Sequence, residues 1–183
     1  EVARQLARDF QHQPNFLGIN WTAYFGGAWL PSYRGNTDDA LDLGYDDFTI
    51  GLFERDTGVK VAGDAADPER YEKRYQFLTS EKMKPAGLAW LSQKMAEFFE
   101  KVNQVIREVR PGLETVASCY VNHVHIKEWQ NQKISFQEYL DQWGWNPGAF
   151  QGRDGVWLMP WLHLNARYQP AYRSMDYAMA WQG

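Results

Sequence analysis

The sequence predicts an α/β fold built on a parallel sheet, and three observations carry that prediction. Three apolar runs, at 15–25, 114–126 and 155–165, each pass into aromatic and polar residues. Stretches with apolar residues at helical spacing separate the runs, and strands alternating with helices argue for a parallel sheet covered by helices. Pro111-Gly112 joins the longest helical stretch directly to the second run, the short connection usual in such units. Ligands of these folds gather at the carboxyl ends of the strands. Attention therefore goes to 20–24, 120–125 and 161–165.

In chain order, Val2, Leu6 and Phe10 space a helix over 1–12. It must end before Pro14, because the residue ahead of a proline avoids the helical region. The first strand follows at 16–23. Gly26-Gly27 then open a loop through Pro31, Gly35 and Gly44, rich in turn formers. With the short helix behind it, this loop makes an inserted segment at 26–67. Asp46 or Asp47 caps that helix, Ile50 and Phe53 mark its apolar face, and Gly58 stands just past its end. Asp67-Pro68-Glu69 starts another helix, with Tyr71, Tyr75 and Leu78 as its buried stripe. Pro85 and Gly87 separate it from the longest helix. There Leu88, Leu91, Met95, Phe98, Phe99, Val102, Val105, Ile106 and Val109 recur at three- and four-residue steps. The second strand begins after Pro111-Gly112. A polar loop at 127–134 leads to a short helix at 135–143 capped by Ser135. A turn at Trp145-Asn146-Pro147-Gly148 precedes the third strand at 155–162. The tail regains helical spacing at Tyr172, Met175 and Met179.

A formal net charge of −4 gives no electrostatic footprint for nucleic acid. No apolar run reaches the roughly 18 residues of a membrane helix. Cys119 is the single cysteine, so an internal disulfide is impossible and the redox compartment stays open. The chain holds nine Trp, ten Tyr and ten Phe. Trp21, Tyr24, Trp29, Tyr33, Trp129, Trp143, Trp145 and Trp161 lie in polar or Gly-rich surroundings. Rings at a cleft offer flat apolar faces with a polar edge, and the C–H faces of sugars are natural partners. Core packing is the ordinary alternative for any one of them.

The run 44–61, Gly-Tyr-Asp-Asp-Phe-Thr-Ile-Gly-Leu-Phe-Glu-Arg-Asp-Thr-Gly-Val-Lys-Val, resembles a segment of bacterial glycoside-hydrolase-like (β/α)₈ barrels, of the family 10-like kind. The likeness extends to 67–78, to Trp90, Lys94 and Phe98, to 109–114, and upstream to 10–19. It implies a TIM-type barrel, of which residues 1–183 would be one partial α/β segment. The remaining strands would come from more chain or another subunit, and without them the open edges would make the segment aggregate, self-associate or form a molten state. It also implies a polysaccharide or oligosaccharide substrate, an extracellular or periplasmic setting, and two carboxylates flanking the scissile bond. The chain departs from that pattern where an acid is expected: Asn20 is followed by Trp21-Thr22-Ala23. Glu128, just past the second strand, is the candidate acid.

Asn20, Trp21, Tyr24, Trp29, His123, His125, Trp161 and His163 are the candidate carbohydrate-binding residues, with rings to stack on sugars and Asn and His to bond hydroxyls. A barrel that binds without cleaving fits the same residues. His123 and His125 share a face of an extended chain. With His163 they could hold zinc in a metal-dependent hydrolase, a third reading. Asp38, Asp39, Asp42, Asp46 and Asp47 suit a solvated loop and a helix start. No G-x-S-x-G, P-loop or dinucleotide fingerprint occurs, so no cofactor is expected.

Overall fold

The computed structural model describes residues 1–23, 41, 44–121, 135–142 and 144–162, with residues 23, 119–121, 136, 139, 142 and 160–162 described as backbone. Strands β1 (Gly18–Ala23), β2 (Glu114–Val121) and β3 (Val156–Leu162) form one parallel sheet in the order β1-β2-β3. Among the described residues the helices are α1 (Val2–Phe10), α2 (Asp47–Thr57), α3 (Arg70–Thr79), α4 (Lys84–Arg107), α5 (Phe136–Gln142) and α6 (Pro147–Phe150).

Among the described residues the sheet is open, with three strands, and this overturns the expected (β/α)₈ barrel and the family resemblance that implied it. The physical reason lies in what the sequence pattern encodes. Apolar strands alternating with amphipathic helices specify parallel pairing and a helix layer. They do not specify closure, which takes a fixed strand number and shear. A barrel interior is a packed core of side-chain layers. Here Trp157 and Met159, on the face away from the helices, are 57% and 41% exposed.

Alternation along the strands separates two faces. Ile19 and Trp21 pair across the sheet with Thr115 and Ala117, which pair with Val156 and Leu158. These residues meet α4, the longest helix. Met95, Ala96 and Phe99 pack with Ala117, Val156, Leu140, Trp145 and Phe150. Ile106 packs with Ile19, Leu113, and Ala3 and Ala7 of α1. The helix is also pinned by polar contacts near its end. Asn103 Nδ2 donates to the Asp154 carbonyl at 3.0 Å, and Asn103 Oδ1 accepts from Thr115 Oγ1 at 3.2 Å. Arg107 Nε donates to the Leu113 carbonyl at 2.9 Å. Gly155, with φ of 70°, leaves room for that arginine: a Cβ there would lie 2.1 Å from Arg107 Nη2. Gly18 has a similar role in register, since a Cβ would lie 2.0 Å from the Glu114 carbonyl oxygen.

Outside this core, α2 and α3 build their own cluster from Ile50, Phe53 and Leu78, with Trp90 of α4 against it. Asp46 is the N-cap of α2, accepting from the Thr49 backbone N–H at 2.9 Å, and Gly58 closes the helix in the left-handed region at φ 72°. The expected tyrosine stripe on α3 is corrected. Tyr71 and Tyr75 are exposed, and Arg74 is buried beside Leu78. Arg74 donates to the carbonyls of Gly63 at 3.0 Å and Tyr45 at 2.8 Å, and pairs with Asp47 at 2.7 Å. Those partners meet its whole guanidinium, so the charged residue takes the inner position and the tyrosines turn outward.

Smaller differences follow the same logic. Pro85 sits in the first turn of α4, where its missing N–H costs nothing, and Gly87 continues the helix against Leu41. The break from α3 falls at 80–83 instead. Ser135 caps α5 in a reciprocal box with Glu138. The turn at 146–148 is the start of α6, capped by Asn146. Trp145, grouped by sequence with rings in polar surroundings, is 1% exposed and stacks on Phe150 at 6.0 Å in the core.

Candidate functional site

The face of the sheet turned away from α4 is the candidate site. At one level the pairing aligns Asn20, Val116 and Trp157; at the next, toward the carboxyl ends, it aligns Thr22, Ser118 and Met159. None of these six joins the core clusters formed with the described helices. Asn20, Thr22, Trp157 and Met159 are exposed, Val116 is half-buried and Ser118 is buried. Two strand spacings, roughly 10 Å, separate the backbones of Asn20 and Trp157.

The chemistry across this face is graded. Ser118 Oγ donates to Asn20 Oδ1 at 2.7 Å. That bond fixes the amide and leaves Nδ2 as its outward donor. The Thr22 hydroxyl stands one step along the same strand. On the other side, Trp157 presents an aromatic ring and Met159 a thioether. The result is a polar margin on β1, a narrow floor on β2 and an apolar wall on β3.

The structure divides the residues expected to share a cleft. Asn20 lies on this outer face. Trp21, its neighbour, turns to the helix layer and packs against both core clusters. Its Nε1 is buried with no hydrogen-bond partner among the described residues. Trp161 pairs with Tyr120 in β3, near the strand ends, with its side chain outside the described residues. Tyr24, Trp29, His123, His125 and His163 also lie outside them, as do Glu128 and the acidic loop residues Asp38, Asp39 and Asp42. Among the described residues no group of three His, Cys, Asp or Glu could hold a metal ion.

Sequence reading missed Trp157, and the signal was available. Trp157, Met159 and Trp161 recur at two-residue steps, so a strand through 155–162 sets Trp157 on the same side as Met159. The rule that ligands gather at the carboxyl ends of strands passes over it, because Trp157 lies near the amino end of β3.

The carboxylates elsewhere have structural work. The Thr49 hydroxyl and backbone N–H hold the Asp46 carboxyl below its ordinary value. Lys94 and Trp90 do so for Asp56, and Arg107 does so for Asp154. Asp141 differs: burial, then the nearby Glu138, pushes its carboxyl up. No described helix is long and apolar enough to cross a membrane.

Comparison with protein-family models, with curated proteins and with solved structures finds no match to this chain.

Proposed function

We propose that this chain binds carbohydrate on the outer face of its sheet, between the Asn20–Ser118 pair and the Trp157 ring. The observation that carries the reading is the exposed tryptophan set across a parallel sheet from an exposed, pre-oriented amide. A sugar is amphipathic in the same way. Its C–H face suits an indole ring, and its hydroxyls accept from an amide N–H and exchange hydrogen bonds with Thr22. The serine bond holds the amide in place before a ligand arrives, so less freedom is lost on binding.

The reading is one of binding. The described strand residues of this face hold a single carboxylate, Glu114, at the amino end of β2. Glycosidic cleavage takes two carboxylates flanking the bond.

A panel of immobilised polysaccharides and soluble oligosaccharides, followed by calorimetry on any binder, tests the proposal. Binding to at least one glycan is expected, weakened about tenfold or more in Trp157→Ala, the loss of roughly 1–3 kcal/mol usual for a central ring. Asn20→Ala should weaken it less. Silence across the whole panel, or full affinity in Trp157→Ala, would refute it.

A further inference from the structure

The turn that leads into β3 carries a reactive dipeptide. Asp154-Gly155 is the single Asp-Gly step of the chain, and no Asn-Gly step occurs. The pair is the centre of a β-turn closed by the Val156 N–H on the Arg153 carbonyl at 3.2 Å. The Asp154 side chain is 88% exposed. The Gly155 N–H donates to no described residue, and no side chain of its own shields that nitrogen.

Attack by the Gly155 nitrogen on the Asp154 carboxyl carbon closes a five-membered imide. A C–N bond forms, a carboxyl C–O bond breaks, and the hydroxyl leaves with the amide proton as water. Water then opens the ring at either carbonyl. Opening at the main-chain carbonyl leaves the chain running through Cβ, with a carboxylate on Cα and no net change in mass. The reaction needs a neutral carboxyl that is able to turn toward the nitrogen. Arg107 opposes both requirements. Its Nη1 donates to Asp154 Oδ2, and its Nη2 lies 3.5 Å from Oδ1. Such a charge-assisted hold fixes the carboxyl and favours its ionised form.

We infer that Asp154 is a site of spontaneous isomerisation to isoaspartate, and that the Arg107 pair sets its rate. The position gives the change a consequence. The Asp154 carbonyl accepts from Asn103 of α4 at 3.0 Å, and the Gly155 carbonyl accepts from the Thr115 N–H at 2.8 Å. An added backbone atom disturbs both bonds at the entry to the strand that carries Trp157. The inference is independent of what the sheet face binds.

The test ages the full chain at neutral pH and maps it by mass spectrometry, after digestion with a protease that cuts before aspartate but not before isoaspartate. In the folded wild type, uncut Arg153-Asp154 junctions should accumulate ahead of every other aspartate junction. Arg107→Lys, which loses the two-pronged hold, should age about threefold faster, a margin suited to an exposed ion pair. Asp46→Ala, which loosens the fold at a distant cap, should age at the wild-type rate. In urea, wild type and Arg107→Lys should age alike. Absence of isoaspartate at Asp154, or its earlier appearance at another aspartate, would overturn the inference. So would a wild-type rate in folded Arg107→Lys, or equal acceleration in Asp46→Ala. If Arg107→Lys fails to fold, molar salt on the wild type takes its place by screening the pair. Faster ageing in salt is then expected, and an unchanged rate would overturn the inference.

Discussion

The two faces of this sheet use similar residues to opposite ends. On the inner face Phe99 of α4 lies against Ala117 and Val156, and Asn103 and Arg107 of the same helix lock to backbone carbonyls. On the outer face Trp157 and Met159, no less apolar, stand exposed beside Asn20 and Thr22. Burial by α4 makes the first face the source of stability. The second contributes little by that route and is available for recognition. The difference teaches that an aromatic in an apolar strand is not thereby a core residue. Which face it takes, and whether a helix covers that face, decides its role.

The largest expected effect comes from the inner face. Phe99→Ala should destabilise the chain by about 3–5 kcal/mol, read by chemical unfolding. Gly155→Ala is next. It forces a side chain into a left-handed conformation and against Arg107, so a loss of about 1–3 kcal/mol is expected.

Asp46→Ala removes a helix cap and should cost about 1 kcal/mol at neutral pH. The folded state holds the Asp46 carboxyl below its ordinary value. Its contribution is therefore present above that ordinary value and lost as pH falls through the lowered one. The difference between Asp46→Ala and wild type should shrink in strong acid. Asp141 has the reverse sign. Its carboxyl is raised by burial and by Glu138, so folding favours the protonated form, and that advantage is lost as pH rises through the raised value. Asp141→Asn should raise the melting temperature at neutral pH and leave it nearly unchanged in acid. A stabilisation that grew on acidification would contradict the assignment.

The same contrast explains how much was legible in the sequence. The three strands, the long helix, and the Asp46, Gly58 and Ser135 boundaries follow from local chemistry, namely period, capping and left-handed glycine, and the structure places each within a few residues. What failed depends on distant partners. Arg74 is buried because the carbonyls of Gly63 and Tyr45 and the Asp47 carboxylate meet it there, 11 to 29 residues away. No pattern within α3 announces that. Closure of the sheet failed for the same reason, since parallel strands read alike in open and closed sheets. In the candidate site, Asn20 was legible from its place near a strand end. Trp157 was legible only through alternation, and Trp21 was drawn to the wrong side of the sheet by its nearness to Asn20.

The smallest effect on stability, and the largest on binding, is expected at Trp157. An exposed ring away from the core should change the unfolding free energy by no more than about 0.5 kcal/mol when cut to alanine. The direct test of the two-faced sheet is therefore a paired measurement on Trp157→Ala: urea unfolding, and calorimetric titration with the best glycan found for the wild type. Near-wild-type stability with affinity reduced tenfold or more is the result predicted. A variant that loses several kcal/mol of stability, or one that binds glycan as well as the wild type, would contradict the account.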